Sequence, residues 1–193
     1  VNIVSITGGN NNISLNTGTG TTTLSSTSSG IGTLTLGAEE TAAGSYVFGG
    51  NLGATTLTVP AGNFAVSIIG SSNTITNLAT FNTSGLVTIG DQAADSSTFA
   101  GGLTHTAGST SVAGSVLTTN DKITLGAVTL SKSSTFDTAA TTTAGDIVIG
   151  AITGGGNSLT LDTGSISGAS VEVSGFDGGG DLSLIAADTA TFG

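Results

Sequence analysis

The sequence predicts an all-β chain wound as a parallel β-solenoid (β-helix) of about eight coils. Three observations carry that prediction. Short apolar/polar alternations run the length of the chain, helix formers are scarce, and strand-and-turn elements recur at a nearly constant interval. The alternation is plain in Ile13-Ser14-Leu15, Leu34-Thr35-Leu36, Thr56-Leu57-Thr58-Val59, Ile123-Thr124-Leu125, Ile147-Val148-Ile149, Leu159-Thr160-Leu161, Val171-Glu172-Val173 and Leu182-Ser183-Leu184. Each puts apolar side chains on one face and mostly Ser or Thr on the other, the period of a half-buried strand. No stretch holds an i, i+3, i+4 apolar pattern beyond one turn. The Ala-rich pieces Ala38–Ala43 and Ala139–Ala144 are the best helix candidates, and Thr or Gly interrupts both.

Three local elements recur. The first is an apolar residue, then Asn or Asp, then Thr: Leu15-Asn16-Thr17, Phe81-Asn82-Thr83, Phe136-Asp137-Thr138 and Leu161-Asp162-Thr163. The second ends an apolar strand on Gly, at Gly37, Gly90, Gly126 and Gly150. The third is a glycine-rich turn: Gly8-Gly9-Asn10, Gly154-Gly155-Gly156-Asn157 and Gly178-Gly179-Gly180-Asp181. The steps from Gly126 to Gly150, from Thr138 to Thr163 and from Gly156 to Gly180 are almost equal, with looser spacing toward the N-terminus. A period of roughly 24 residues, with several strands in each, is the mark of a solenoid. Its corners are filled by residues that tolerate positive φ or bond their own backbone. At 193 residues and strands about 4.8 Å apart, eight coils make a rod roughly 38 Å long. The alternative is a β-sandwich, which also has short strands at regular spacing but does not account for that recurrence.

Composition narrows the function classes. The chain has 36 Thr, 25 Ser and 32 Gly, against twelve Asp or Glu, two Lys, one His and no Cys, Met or Trp. A net charge of −10 cannot neutralise phosphates, so no nucleic-acid partner is expected. Without Cys there is neither a thiolate metal site nor a disulfide framework. No apolar run reaches the roughly 18 residues of a membrane-spanning helix, and no membrane insertion is expected. Disorder is disfavoured because charged residues are only 7% and there is one Pro. Residues 1–193 are expected to form one solenoid domain, a mature or internal section of a longer secreted protein, because the sequence opens without Met and directly on an apolar strand. The lack of Cys and the two trypsin-sensitive positions suit an extracellular or cell-surface location.

The stretch from Ile123-Thr124-Leu125-Gly126 through Phe136-Asp137-Thr138 and Ile147-Val148-Ile149-Gly150 to Leu159-Thr160-Leu161-Asp162-Thr163 resembles the strand repeats of very large bacterial surface proteins. These are filamentous-haemagglutinin-type adhesins and autotransporter passengers. The resemblance covers about residues 120–190 well and the rest loosely. It implies a secreted right-handed β-helix with a scaffolding or adhesive role. Neither the Asn-Pro-rich secretion domain nor the outer-membrane barrel of that family is among these 193 residues.

Candidate chemistry is sparse, and no catalytic or cofactor-binding residue is expected. His105, the only imidazole, would have to serve any Ser-His-Asp mechanism, with Ser109 or Ser111 as nucleophile. No Gly-x-Ser-x-Gly elbow is present, and Thr104-His105-Thr106 reads as an exposed strand face. Glycoside cleavage lacks the aromatic side chains that stack a sugar. Asp177 and Asp181 flank a glycine turn that resembles the Ca²⁺-binding turns of β-rolls. The corresponding earlier turns carry Asn10 and Asn157, so backbone bonding is the expected role and no cofactor is required. Asn12-Ile13-Ser14 and Asn82-Thr83-Ser84 match the glycosylation sequon, as chance alone would produce here. The Thr-x-Thr pairs at 33/35, 56/58, 74/76, 104/106 and 189/191 are too irregular in spacing for a flat ice-binding array.

The expected function is structural and non-enzymatic: a stiff extracellular fibre or stalk made by stacking solenoid units end to end. Val1, Ile3, Val4 and Ile6 are the expected self-association residues, an apolar opening segment with no charged cap. The partner is then another copy of the chain or a flanking repeat of the same chain. The alternative is an adhesin module that binds a glycan or surface ligand through the side of the solenoid.

Overall fold

The computed structural model describes residues 1–37, 43–139 and 141–193. Among them are twenty strands and no helix. The Ala-rich stretches Ala38–Ala43 and Ala139–Ala144 fall partly outside the described residues, at 38–42 and at 140. Every strand pairing is parallel, and strands far apart in sequence lie side by side. This is a β-solenoid and excludes the antiparallel sandwich.

The strands form three parallel ladders that the chain visits in a fixed cycle. The first ladder begins at Asn2–Ile3 and continues through Thr21–Leu24, Ser45–Phe48 and Ala65–Ile68. The second contains Ser72–Ile75, Ser96–Phe99, Leu159–Asp162 and Leu182–Ala186. The third runs from Ile13–Leu15 through Leu103–His105 and Ile123–Leu125 to Thr189–Phe192. Long strands such as Ser28–Leu36, Thr110–Leu117 and Val128–Asp137 bend round a corner and serve two ladders each.

Period-2 alternation now acquires a third dimension. Inward residues stack into columns along the rod, for example Ile3, Leu24, Phe48, Ile68, Ile89, Val112 and Leu130 in the first ladder. A second-ladder column reads Asn73, Ser97, Val116, Phe136, Leu161 and Leu184. The core is one continuous cluster. The scarce aromatics are concentrated in it: Tyr46, Phe48, Phe64, Phe81, Phe99 and Phe136 are all fully buried. Tyr46 meets Phe64 edge-on at 5.6 Å, and Phe81 meets Phe99 at 6.3 Å, the geometry aromatic pairs favour.

The corners absorb the uneven spacing. Along one outward column of the third ladder, the step from Glu172 to Thr191 takes fewer residues than the step from Thr80 to Thr104, yet each advances by one rung. Turn residues allow this. Gly9 and Asn10 have φ of 55° and 64°, a region open to Gly and tolerated by Asn. Corner backbones also approach closely: a Cβ on Gly50 would overlap the Ser26 carbonyl carbon one coil away. The apolar-Asn/Asp-Thr element is a strand-closing device in more than one ladder. Thr83, Thr138 and Thr163 turn inward and are fully buried. Their hydroxyls donate to the carbonyls of Phe64, Gly145 and Ala186 respectively, which satisfies polar groups the core would otherwise strand.

Candidate functional site

Each outward face carries a column of small hydroxyl side chains. In the third ladder Ser14, Thr35, Thr58, Thr80, Thr104 and Thr124 stand in register, followed by Val148, Glu172 and Thr191. The irregular sequence spacing of the Thr-x-Thr pairs therefore hides a regular column. The pairs themselves do not form a two-column array. Thr33/Thr35 and Thr56/Thr58 align with each other, but Thr74 belongs to the second ladder, paired with Thr98. The second ladder has its own hydroxyl column, Ser72, Ser96, Ser115, Thr135, Thr160 and Ser183. Stacked β-branched and hydroxyl side chains on a pleated face are a packing preference shared by all three faces.

His105 is not on the surface. It is fully buried, because the alternation that begins with Leu103 points Thr104 outward and His105 inward. Its rung neighbour is Leu125, and its ring meets Phe81 edge-on at 6.0 Å. Nε2 lies 3.2 Å from the Thr83 carbonyl, which can only accept, so Nε2 carries the proton. Nδ1 then accepts from the Thr110 hydroxyl at 2.9 Å. With both nitrogens engaged, neither Ser109 nor Ser111 has this imidazole as its base.

Burial pushes the His105 pKa below its ordinary 6.5, and the bond to the Thr83 carbonyl opposes this more weakly. The depressed value means that the unfolded chain takes up a proton before the folded one does. The stabilising contribution of neutral His105 is thus complete above pH 6.5 and is lost as pH falls toward the folded value. The urea midpoint should drop between about pH 7.5 and about pH 5 in the parent, and the His105→Leu variant should lose most of that slope. A parent midpoint that stays flat across this range would contradict the assignment.

Asp177 and Asp181 are exposed, and their hydrogen bonds are made by the backbone. The Asp177 carbonyl accepts from Gly154 N at 2.6 Å, and that of Asp181 accepts from Leu159 N at 2.8 Å. In the preceding coil, Asn157 Nδ2 donates to the carbonyls of Leu130 and Gly154 at 2.9 and 3.0 Å. Among the described residues no group of three or more His, Cys, Asp or Glu converges as a metal cage. Stacked carboxylates do occur elsewhere. Asp137 and Asp162 are rung neighbours, and each Oδ1 accepts the N–H two residues on, from Ala139 at 2.6 Å and Gly164 at 2.8 Å. They border an open groove of about 420 Å³ with Ile185 and Ala186. The repeated Phe136-Asp137-Thr138 and Leu161-Asp162-Thr163 tripeptides are the sequence signal for this pair.

The two end coils carry most of the exposed large hydrophobic side chains among the described residues. Of eight large hydrophobic residues exposed among the described ones, six lie there: Val1, Val4, Leu182, Leu184, Ile185 and Phe192. The structure divides the N-terminal four. Ile3 and Ile6 are half-buried against the core, with Ile3 on Leu24 and Ile6 N donating to Ser28 Oγ at 3.0 Å. Val1 and Val4 are 77% and 71% exposed. Val1 precedes Asn2 in the alternation and so has inward parity at the outer edge of the first coil, whereas Val4 lies at a corner. The strands Asn2–Ile3, Ile13–Leu15, Leu182–Ala186 and Thr189–Phe192 are each paired along one edge only.

In comparisons with protein-family models, curated proteins and solved structures, no match to this chain is found.

Proposed function

We propose that this chain is a non-enzymatic structural module, a stiff solenoid segment that lengthens by stacking coil on coil into a fibre or stalk. The observation that supports this best is the placement of exposed apolar side chains. The lateral faces are sheathed in Ser and Thr, while six of the eight exposed large hydrophobics sit in the first and last coils, where strand edges are also unpaired. An apolar coil face with open backbone groups is a template for another parallel coil. A flanking repeat of the same chain or another copy would serve equally. The resemblance to strand repeats of large bacterial surface proteins, together with the Cys-free composition, supports a location outside the cell for such a rod.

Negative-stain electron microscopy of the purified protein tests the reading. Thin unbranched fibres, longer than one molecule and little changed by salt, are expected. Salt has little repulsion to screen, since residues 1–37 contain no charged side chain. Dispersed single particles at all concentrations would overturn it and favour lateral binding of a glycan or surface ligand.

A further inference from the structure

We propose that a second copy of this chain docks head to tail, its first coil lying parallel and in register on the last coil of the copy before. The inference rests on the end-stacking reading and adds polarity and register to it. Both ends of the rod present the same three ladders. The chain cycles from first to second to third ladder, its last strand lies in the third, and its first strand in the first. A head-to-tail neighbour therefore keeps the cycle.

The columns also match. In the third ladder, Ala190 and Phe192 rest on Val171 and Val173 at one end, while Ile13 and Leu15 rest on Leu34 and Leu36 at the other. A copy advanced by one rung sets Ile13 over Ala190 and Leu15 over Phe192, apolar on apolar with the same alternation. In the first ladder, the outward column that opens at Asn2 ends at Asp177. The junction thus pairs an amide with a carboxylate. Tail-to-tail contact would instead press together two last coils that each carry Asp177, Asp181 and Asp188 and no Lys. It would also make strands antiparallel, unlike every pairing inside the molecule. A heterologous contact that repeats by translation does not close, and it grows a polar filament.

The absence of Cys permits a direct test. Ser14 and Thr191 are the first and last members of one outward column, and both are exposed. In one molecule they are eight rungs apart, too far to bridge. Across the proposed junction they are neighbours about 4.8 Å apart, within the Cα range for a disulfide. A chain carrying both Ser14→Cys and Thr191→Cys should give a reducible ladder of dimers, trimers and higher species under mild oxidation. Each single variant should remain monomeric on a non-reducing gel, as should the off-register pair Ser14→Cys with Asp177→Cys. Cross-linking by Ser14→Cys alone would show head-to-head contact and overturn the proposal. Fibres without a ladder in the double variant would overturn the register and leave the rod reading standing. Neither fibres nor ladder would remove both.

Discussion

Replacing Phe136 with Ala is expected to cost roughly 3–5 kcal/mol of stability, the usual range for truncating a fully buried aromatic. The ring is completely inaccessible and lies between Val116 and Leu161 on the adjoining rungs. A solenoid core is only a few side chains wide. Its neighbours are held in register by backbone ladders above and below, so they cannot collapse far into the void. Urea unfolding followed by circular dichroism measures the loss, and a cost below about 1 kcal/mol would mean that the column relaxes freely. Phe192→Ala supplies the contrast. That ring ends its column and is 42% exposed, so the isolated molecule should barely notice its removal, whereas an end-stacked fibre should be weakened.

Ile3→Asp combined with Ile6→Asp should abolish fibres while leaving the solenoid folded. In the isolated molecule both residues are only half-buried, at the open side of the first coil, where carboxylates can turn to water. At a junction they would be enclosed without a cation. The two Lys of the chain, Lys122 and Lys132, lie far along the sequence, and Lys122 is already 3.9 Å from Asp146. Enclosing an unpaired charge costs several kcal/mol. Each apolar side chain that would otherwise be buried contributes roughly 1.5–3 kcal/mol, so the change reverses the sign of the contact. Damage to the fold should stay in the first coil, because each coil touches only its neighbours. Electron microscopy read beside far-ultraviolet circular dichroism checks both halves of the expectation. Fibres as abundant as the parent's would show that these two residues lie outside the contact.

The candidate surfaces are partly legible in the sequence. The apolar opening segment stands out because nothing charged interrupts it, and Ile3 does head an inward column. The segment does not show that Val4 falls at a corner, because a corner interrupts the alternation that assigns inside and outside. For His105 the exposed-face reading fails for the opposite reason. The flanking threonines suggest a polar strand face, yet counting in twos from Leu103 points the imidazole inward. A buried His is tolerated there because Thr83 and Thr110 occupy both ring nitrogens, and those partners come from neighbouring strands that no local reading pairs with it.

The information readable from the chain alone is local and periodic. Alternating β-branched residues between Gly, Asn and Asp turns specify strands, and their regular recurrence specifies coils, since both follow from bonds and side chains within a few positions. The register between coils comes instead from packing. Steps of unequal length, such as Glu172 to Thr191 and Thr80 to Thr104, reach the next rung of one column because the corners between the ladders differ in length from coil to coil. The threonine column, the Asp137–Asp162 pair and the matched end coils all depend on that register. It is fixed where apolar side chains from three ladders meet in one core, because a slip of one residue would turn each strand's inward set toward water.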